Sequence, residues 1–160
     1  MAQRDVRRDE RLAIHAAYAL AGHAVAAAYL GVRFGTLALS RDFAIADAAA
    51  VAQADHLWMI VHAGPAAEAN LTQGNHGRLN ALASPRQARL RATVVARTGP
   101  IDAHAERQLR LAATHILRSP GNAAVAAVAA RLTAGEVLGY FTARRLIRAA
   151  TDAARHPGPP

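Results

Sequence analysis

Apolar positions near the start of the chain recur with the period of a helix. Leu12, Ala16, Ala19, Ala26 and Leu30, with His23 among them, fall three, four or seven residues apart. That spacing predicts one long helix over residues 7–30. Gly31 is placed to end it, because glycine adopts a left-handed backbone at little cost. The next stretch, residues 32–40 (VRFGTLALS), drops the helical period. Its β-branched and aromatic residues predict extended chain, with the internal Gly marking a bulge. Residues 41–47 are expected to turn back as a second short strand, making a small β hairpin or edge sheet.

Helical patterning resumes over residues 48–71. Gly64-Pro65 is expected to interrupt it, with Pro65 opening a new helix in its first turn. Residues 72–85 (TQGNHGRLNALASP) read as an irregular loop. Ser84-Pro85 starts a helix over 86–97, which Thr98-Gly99-Pro100 breaks. Further helices are expected over 101–117, 123–132 and 136–154, with Ser119-Pro120-Gly121-Asn122 as a turn between the first two. No tandem repeat or second domain is visible. The expected fold is mainly α, with a small β hairpin or edge sheet after the first long helix. Residues 1–155 form a single helical domain in this reading, and 156–160 (HPGPP) a disordered tail.

Composition alters the expected core. Apolar residues make up 52 % of the chain, aromatics only 4 %, and alanine alone exceeds a quarter. Alanine favours helices but buries little area, so closely packed helices around a thin core of Leu, Ile and Val are expected. Cysteine is absent, which removes disulfides, thiolate metal sites and cysteine nucleophiles. Any metal would need His and carboxylate ligands. All 19 basic residues are arginine, and the net charge is +8. Such a field favours acidic partners without naming one. The mixed-charge start lacks the apolar core of a secretory signal. The apolar stretch 16–32 is short and broken by Gly22-His23, so no membrane span is expected and the cytoplasm is the expected location.

The chemistry concentrates in the first helix. The segment Ala19-Leu20-Ala21-Gly22-His23-Ala24-Val25, running on to Gly31, resembles the motif helix of the FtsH-like zinc peptidases, H-E-A-G-H-A-V. In that motif two histidines one turn apart hold zinc, and the glutamate deprotonates the metal-bound water. Three later stretches agree in order: Gly31-Val32-Arg33-Phe34, then Ala63-Gly64-Pro65-Ala66-Ala67-Glu68 against the family's A-G-x-A-A-E helix, then the closing helices of stand-alone relatives without the ATPase module. The resemblance implies a zincin-like domain. It also implies a degenerate one. Ala19 replaces the first histidine, Leu20 replaces the glutamate, and only His23 keeps a ligand position. The family's third ligand is an Asp, and the corresponding segment 74–83 has none. His76 or Asn80 stands near that place.

Other residues offer partial replacements. His15 shares the face of His23, but eight residues at ~1.5 Å rise put it ~12 Å away along the axis, too far for one metal. Glu68 matches the family's glutamate and is expected to orient a ligand, or to pair with His23 or an arginine. A rebuilt site from His23, His62 and Glu68 or His76 would need zinc. Otherwise no cofactor is expected. His56, His104 and His115 read as surface or packing histidines, and Asp42 and Asp47 form no acid–base pair. Arg86, Arg89 and Arg97 share one face, and Arg144, Arg145 and Arg148 another. Such faces suit phosphates, yet few aromatics accompany them. Three functions stand in order: an inactive peptidase relative that binds a peptide or protein, a homo-oligomer included; a divergent zinc peptidase; and an Arg-rich binder of nucleic acid or another polyanion.

Overall fold

The computed structural model describes residues 2–46, 53–71 and 84–158, with side chains from Val6 onward. The described residues form six helices: α1 (Ala2–Tyr29), α2 (Ala54–Leu71), α3 (Pro85–Thr98), α4 (Ala103–Ile116), α5 (Gly121–Thr133) and α6 (Tyr140–Arg155). The protein is mainly α, as the periodicity predicts.

The first helix, α1, begins earlier than the pattern predicts and ends where Gly31 requires. Gly31 has φ 72°. The Val32 N–H donates to the Ala27 carbonyl at 2.8 Å and the Gly31 N–H to the Ala28 carbonyl at 3.3 Å. These two bonds close the last turn as a Schellman motif. From Leu20 to Ala27 every residue of α1 is buried. A helix buried all round is central to a fold rather than laid on its surface. It packs against α2 and α5, while α2 also carries α3 and α4, and α6 lies on α5. By length and composition the stretch Val6–Tyr29 could also cross a membrane, and half of its apolar window is buried inside the fold.

Small residues let α1 and α2 approach closely. A Cβ on Gly22 would lie 2.5 Å from the Ala63 carbonyl oxygen and 2.6 Å from the Ala67 Cβ. The expected break at Gly64-Pro65 does not occur, since Pro65 stands inside α2. Proline has no N–H, so the Val61 carbonyl four residues earlier loses its helical donor. The Gln87 amide of α3 supplies one instead, with Nε2 donating to that oxygen at 2.6 Å. A donor from another helix thus takes the place of the missing backbone bond.

The hairpin or edge sheet is also corrected. Among the described residues the extended chain forms only isolated antiparallel bridges, Phe34 with Ile45 and Leu37 with Leu138. The first is flanked by Gly35 N–H to the Ala44 carbonyl (2.8 Å) and Ala46 N–H to the Arg33 carbonyl (3.0 Å). The ladder stops because Leu37 exchanges both backbone bonds with Leu138, at 2.8 and 2.9 Å, on the far side of the sequence. That pairing also holds Leu138 extended, so α6 starts at Tyr140 instead of 136. Asp102 caps α4, accepting from the His104 and Ala105 N–H groups at 2.9 Å each. One core cluster runs from Ala17 to Ile147. Its largest fully buried members are Trp58, Leu37, Ile60, Leu117, Leu132 and Leu138. The tail is described as far as Gly158 and continues no helix.

Candidate functional site

A cleft of about 300 Å³ opens between α1, α2, the start of α3 and the extended segment at Phe43. Four of the residues singled out from sequence, Ala19, Leu20, His23 and Glu68, line it, and His15 joins them. Helical spacing explains this: positions 12, 15, 16, 19, 20 and 23 form one stripe of α1. Leu12, Phe43, Pro65 and Leu90 complete apolar walls, and Ser84, Arg86 and Gln87 add polar groups from α3.

His23 lies on the buried side of this cleft, 5 % exposed. Its Nδ1–H donates to the Ile60 carbonyl at 2.7 Å. That bond fixes the tautomer and leaves the lone pair on Nε2. The ring lies against Gly64, where a Cβ would come within 2.3 Å of Nε2, and Phe43 stands 5.1 Å away, centroid to centroid. Burial pushes the His23 pKa down to about 4, against smaller opposing contributions from the Ile60 carbonyl and the Gln87 side chain. The imidazole is therefore neutral near pH 7. Gly64 is required here because only a residue without a side chain leaves room for the ring.

Among the described residues Glu68 pairs with His15, Nδ1 to Oε1 at 3.1 Å, and not with His23 or an arginine as the sequence suggests. Burial raises the Glu68 pKa, and the neighbouring His15 opposes that rise. Ala19 and Leu20 present no ligand or base.

His62 does not belong to this cleft. It is buried, 3 % exposed, on the face of α2 turned to α4. Its Nε2 lies 3.2 Å from Glu106 Oε1, but off the hydrogen-bond direction. Arg91 holds Glu106 through two hydrogen bonds, Nη1 to Oε1 and Nη2 to Oε2, which keeps the Glu106 carboxyl below its usual pKa. The Arg91 guanidinium also sits 4.9 Å above the Trp58 ring, and that ring stacks on His62 at 6.2 Å. Burial lowers the pKa of His62, with the Glu106 carboxylate acting the other way.

His76, Asn80 and Asp47 lie outside the described residues. His56 is half-buried, and His104 and His115 are exposed. Asp42 is taken up by arginine, with Arg89 Nε and Nη2 donating to its two oxygens at 2.6 and 3.0 Å and Arg86 Nε at 3.5 Å. One of the two predicted arginine faces is thereby partly neutralised. In the other, Arg148 stands 3.9 Å from Asp152.

Sequence reasoning missed two parts of the arrangement. Gln87 is one; its signal was the carbonyl that Pro65 strands one turn back. The Trp58–His62–Glu106–Arg91 cluster is the other, and only the Trp58–His62 spacing of four was visible. Among the described residues no group of three His, Cys, Asp or Glu side chains is placed to hold a metal ion. What the cleft offers chemically is an apolar floor, a His–Glu pair and a neutral, tethered imidazole. Compared with known proteins, no family model, curated protein or solved structure matches this chain.

Proposed function

We propose that the chain is a catalytically inactive relative of the FtsH-like zinc peptidases, acting in the cytoplasm as a peptide- or protein-binding module. The observation that carries this reading is the cleft itself: it opens at the degenerate motif positions Ala19, Leu20 and His23, with Glu68 beside them. The His23 Nδ1–H bond to a backbone carbonyl supports the kinship, because metal-ligating histidines are commonly oriented that way. Among the described residues the donor set does not fit zinc. One imidazole is too few, and His15, the other described histidine of the cleft, is occupied by Glu68. Leu20 cannot accept a proton from water, so no general base stands at the motif position.

The same walls suit an extended peptide. Leu12, Leu20, Phe43 and Leu90 receive apolar side chains, while Ser84 and the His15–Glu68 pair offer polar contacts. The test is fluorescence polarisation with a library of labelled unstructured peptides. Tight-binding sequences are expected to lose at least tenfold in affinity with Ala19→Trp, which fills the half-buried cleft wall while the melting temperature stays put. Unchanged binding in that variant would place the peptide elsewhere. A second reading, a divergent zinc peptidase, draws on the lone pair left on His23 Nε2. Near-stoichiometric zinc in untagged protein, lost in His23→Ala, would favour it.

A further inference from the structure

A second concavity, of about 590 Å³, lies where the C-terminal ends of α1, α4 and α6 meet the turn before α5. We propose that it binds a small phosphorylated ligand with a flat ring body, of the nucleoside monophosphate or diphosphate kind. The site is separate from the cleft at His23, and the inference does not rest on the peptide-binding reading.

Charge is the first argument. Arg118, Arg155 and His115 line the concavity, and no Asp or Glu does. Five other arginines are matched to carboxylates: Arg86 and Arg89 with Asp42, Arg91 with Glu106, Arg131 with Glu136, Arg148 with Asp152. Among the described residues neither Arg118 nor Arg155 enters such a pair. Helix C-termini favour cations, which accounts for His115 in the last turn of α4 and Arg155 in the last turn of α6. It does not account for Arg118, past the end of α4, lining the same hollow with them and no carboxylate beside them. Two arginines lining one space suit the oxygens of a phosphate, because each planar guanidinium can bond two of them.

The second argument is the wall beside those groups. Tyr29 is 69 % exposed and Leu111 60 % exposed, and both line the hollow with Ile116. Large apolar side chains left in water next to a positive cluster match a ligand that is anionic at one end and flat and apolar at the other. Gln108 and Ser119 add hydrogen-bonding groups able to read ring substituents. The volume falls within the range of small-molecule pockets, roughly 300–1,000 Å³.

The test is calorimetric titration of the full chain at low salt with AMP, ADP and inorganic phosphate in separate runs. AMP and ADP are expected to bind saturably, and inorganic phosphate at least tenfold more weakly. The double substitution Arg118→Ala and Arg155→Ala is expected to weaken nucleotide binding tenfold or more. Tyr29→Ala should weaken AMP and leave inorganic phosphate unchanged. All three residues are exposed, so melting curves are expected to match the parent and show that the fold is intact. Lack of saturable AMP and ADP binding, or equal affinity in the double variant, would overturn the proposal. So would a single-stranded DNA oligonucleotide that binds through the same arginines more tightly than AMP, since the hollow would then be part of a nucleic-acid surface.

Discussion

At the scale of single residues, the candidate site depends on which backbone groups still need partners. Pro65 strands the Val61 carbonyl, and Gln87 answers it at 2.6 Å. The Ile60 carbonyl takes the His23 Nδ1–H. Two consecutive carbonyls of α2 thus tether one side chain from α3 and one from α1. Gln87→Leu removes the donor and leaves a buried acceptor unmatched, which costs about 1–3 kcal/mol. Pro65→Ala restores a backbone N–H to the same carbonyl. The expected outcome is that Gln87→Leu destabilises less in the Pro65→Ala background than in the parent, read from urea midpoints as a double-mutant cycle. Strict additivity would show that Gln87 does not act through Val61. His23 itself was legible as the one surviving ligand position. Its partners were not, because Ile60 lies 37 residues away and a single sequence does not reveal which helix faces which.

At the scale of elements, two buried histidines among the described residues sit in the seams that join α2 to its neighbours, His23 in the seam with α1 and His62 in the seam with α4. Both are held below the ordinary histidine pKa by burial. For such a group the unfolded chain takes up the proton first as the pH falls. Stability is therefore undiminished above about 6.5 and declines between that value and the folded value, about 4 for His23. At pH 5 the loss from His23 alone is about 2 kcal/mol. Melting temperature is expected to fall from pH 7 to pH 5, and the fall should shrink in His23→Gln. A flat profile in the parent would contradict the burial described for the ring. The helices themselves were readable because alanine-rich segments with a clear period form them locally. Three features escaped for the same non-local reason. Pro65 stays helical because a distant glutamine supplies its missing bond, Leu37 leaves its hairpin for Leu138, and that pairing delays α6.

At the scale of the whole molecule, α1 is the axis: its second half is enclosed, and its first half presents the stripe that walls the cleft. The sequence resemblance drew attention to Ala19, Leu20 and His23, and the fold brings them to one opening with Glu68. The floor of that opening, Phe43 and Leu90, comes from segments the resemblance did not cover with any motif. His62 was drawn into the same constellation by its nearness in sequence, yet α2 turns it toward Glu106. The net charge of +8 is spread over several faces and partly matched by carboxylates, so it raises encounter rates with acidic partners without defining a single surface. The claim that decides the account is that the cleft binds peptide and leaves it whole. The measurement is the mass of a tightly bound peptide after prolonged incubation with the untagged protein, with and without added zinc. The account predicts the intact mass in both. Zinc-dependent fragments that vanish in His23→Ala would contradict it.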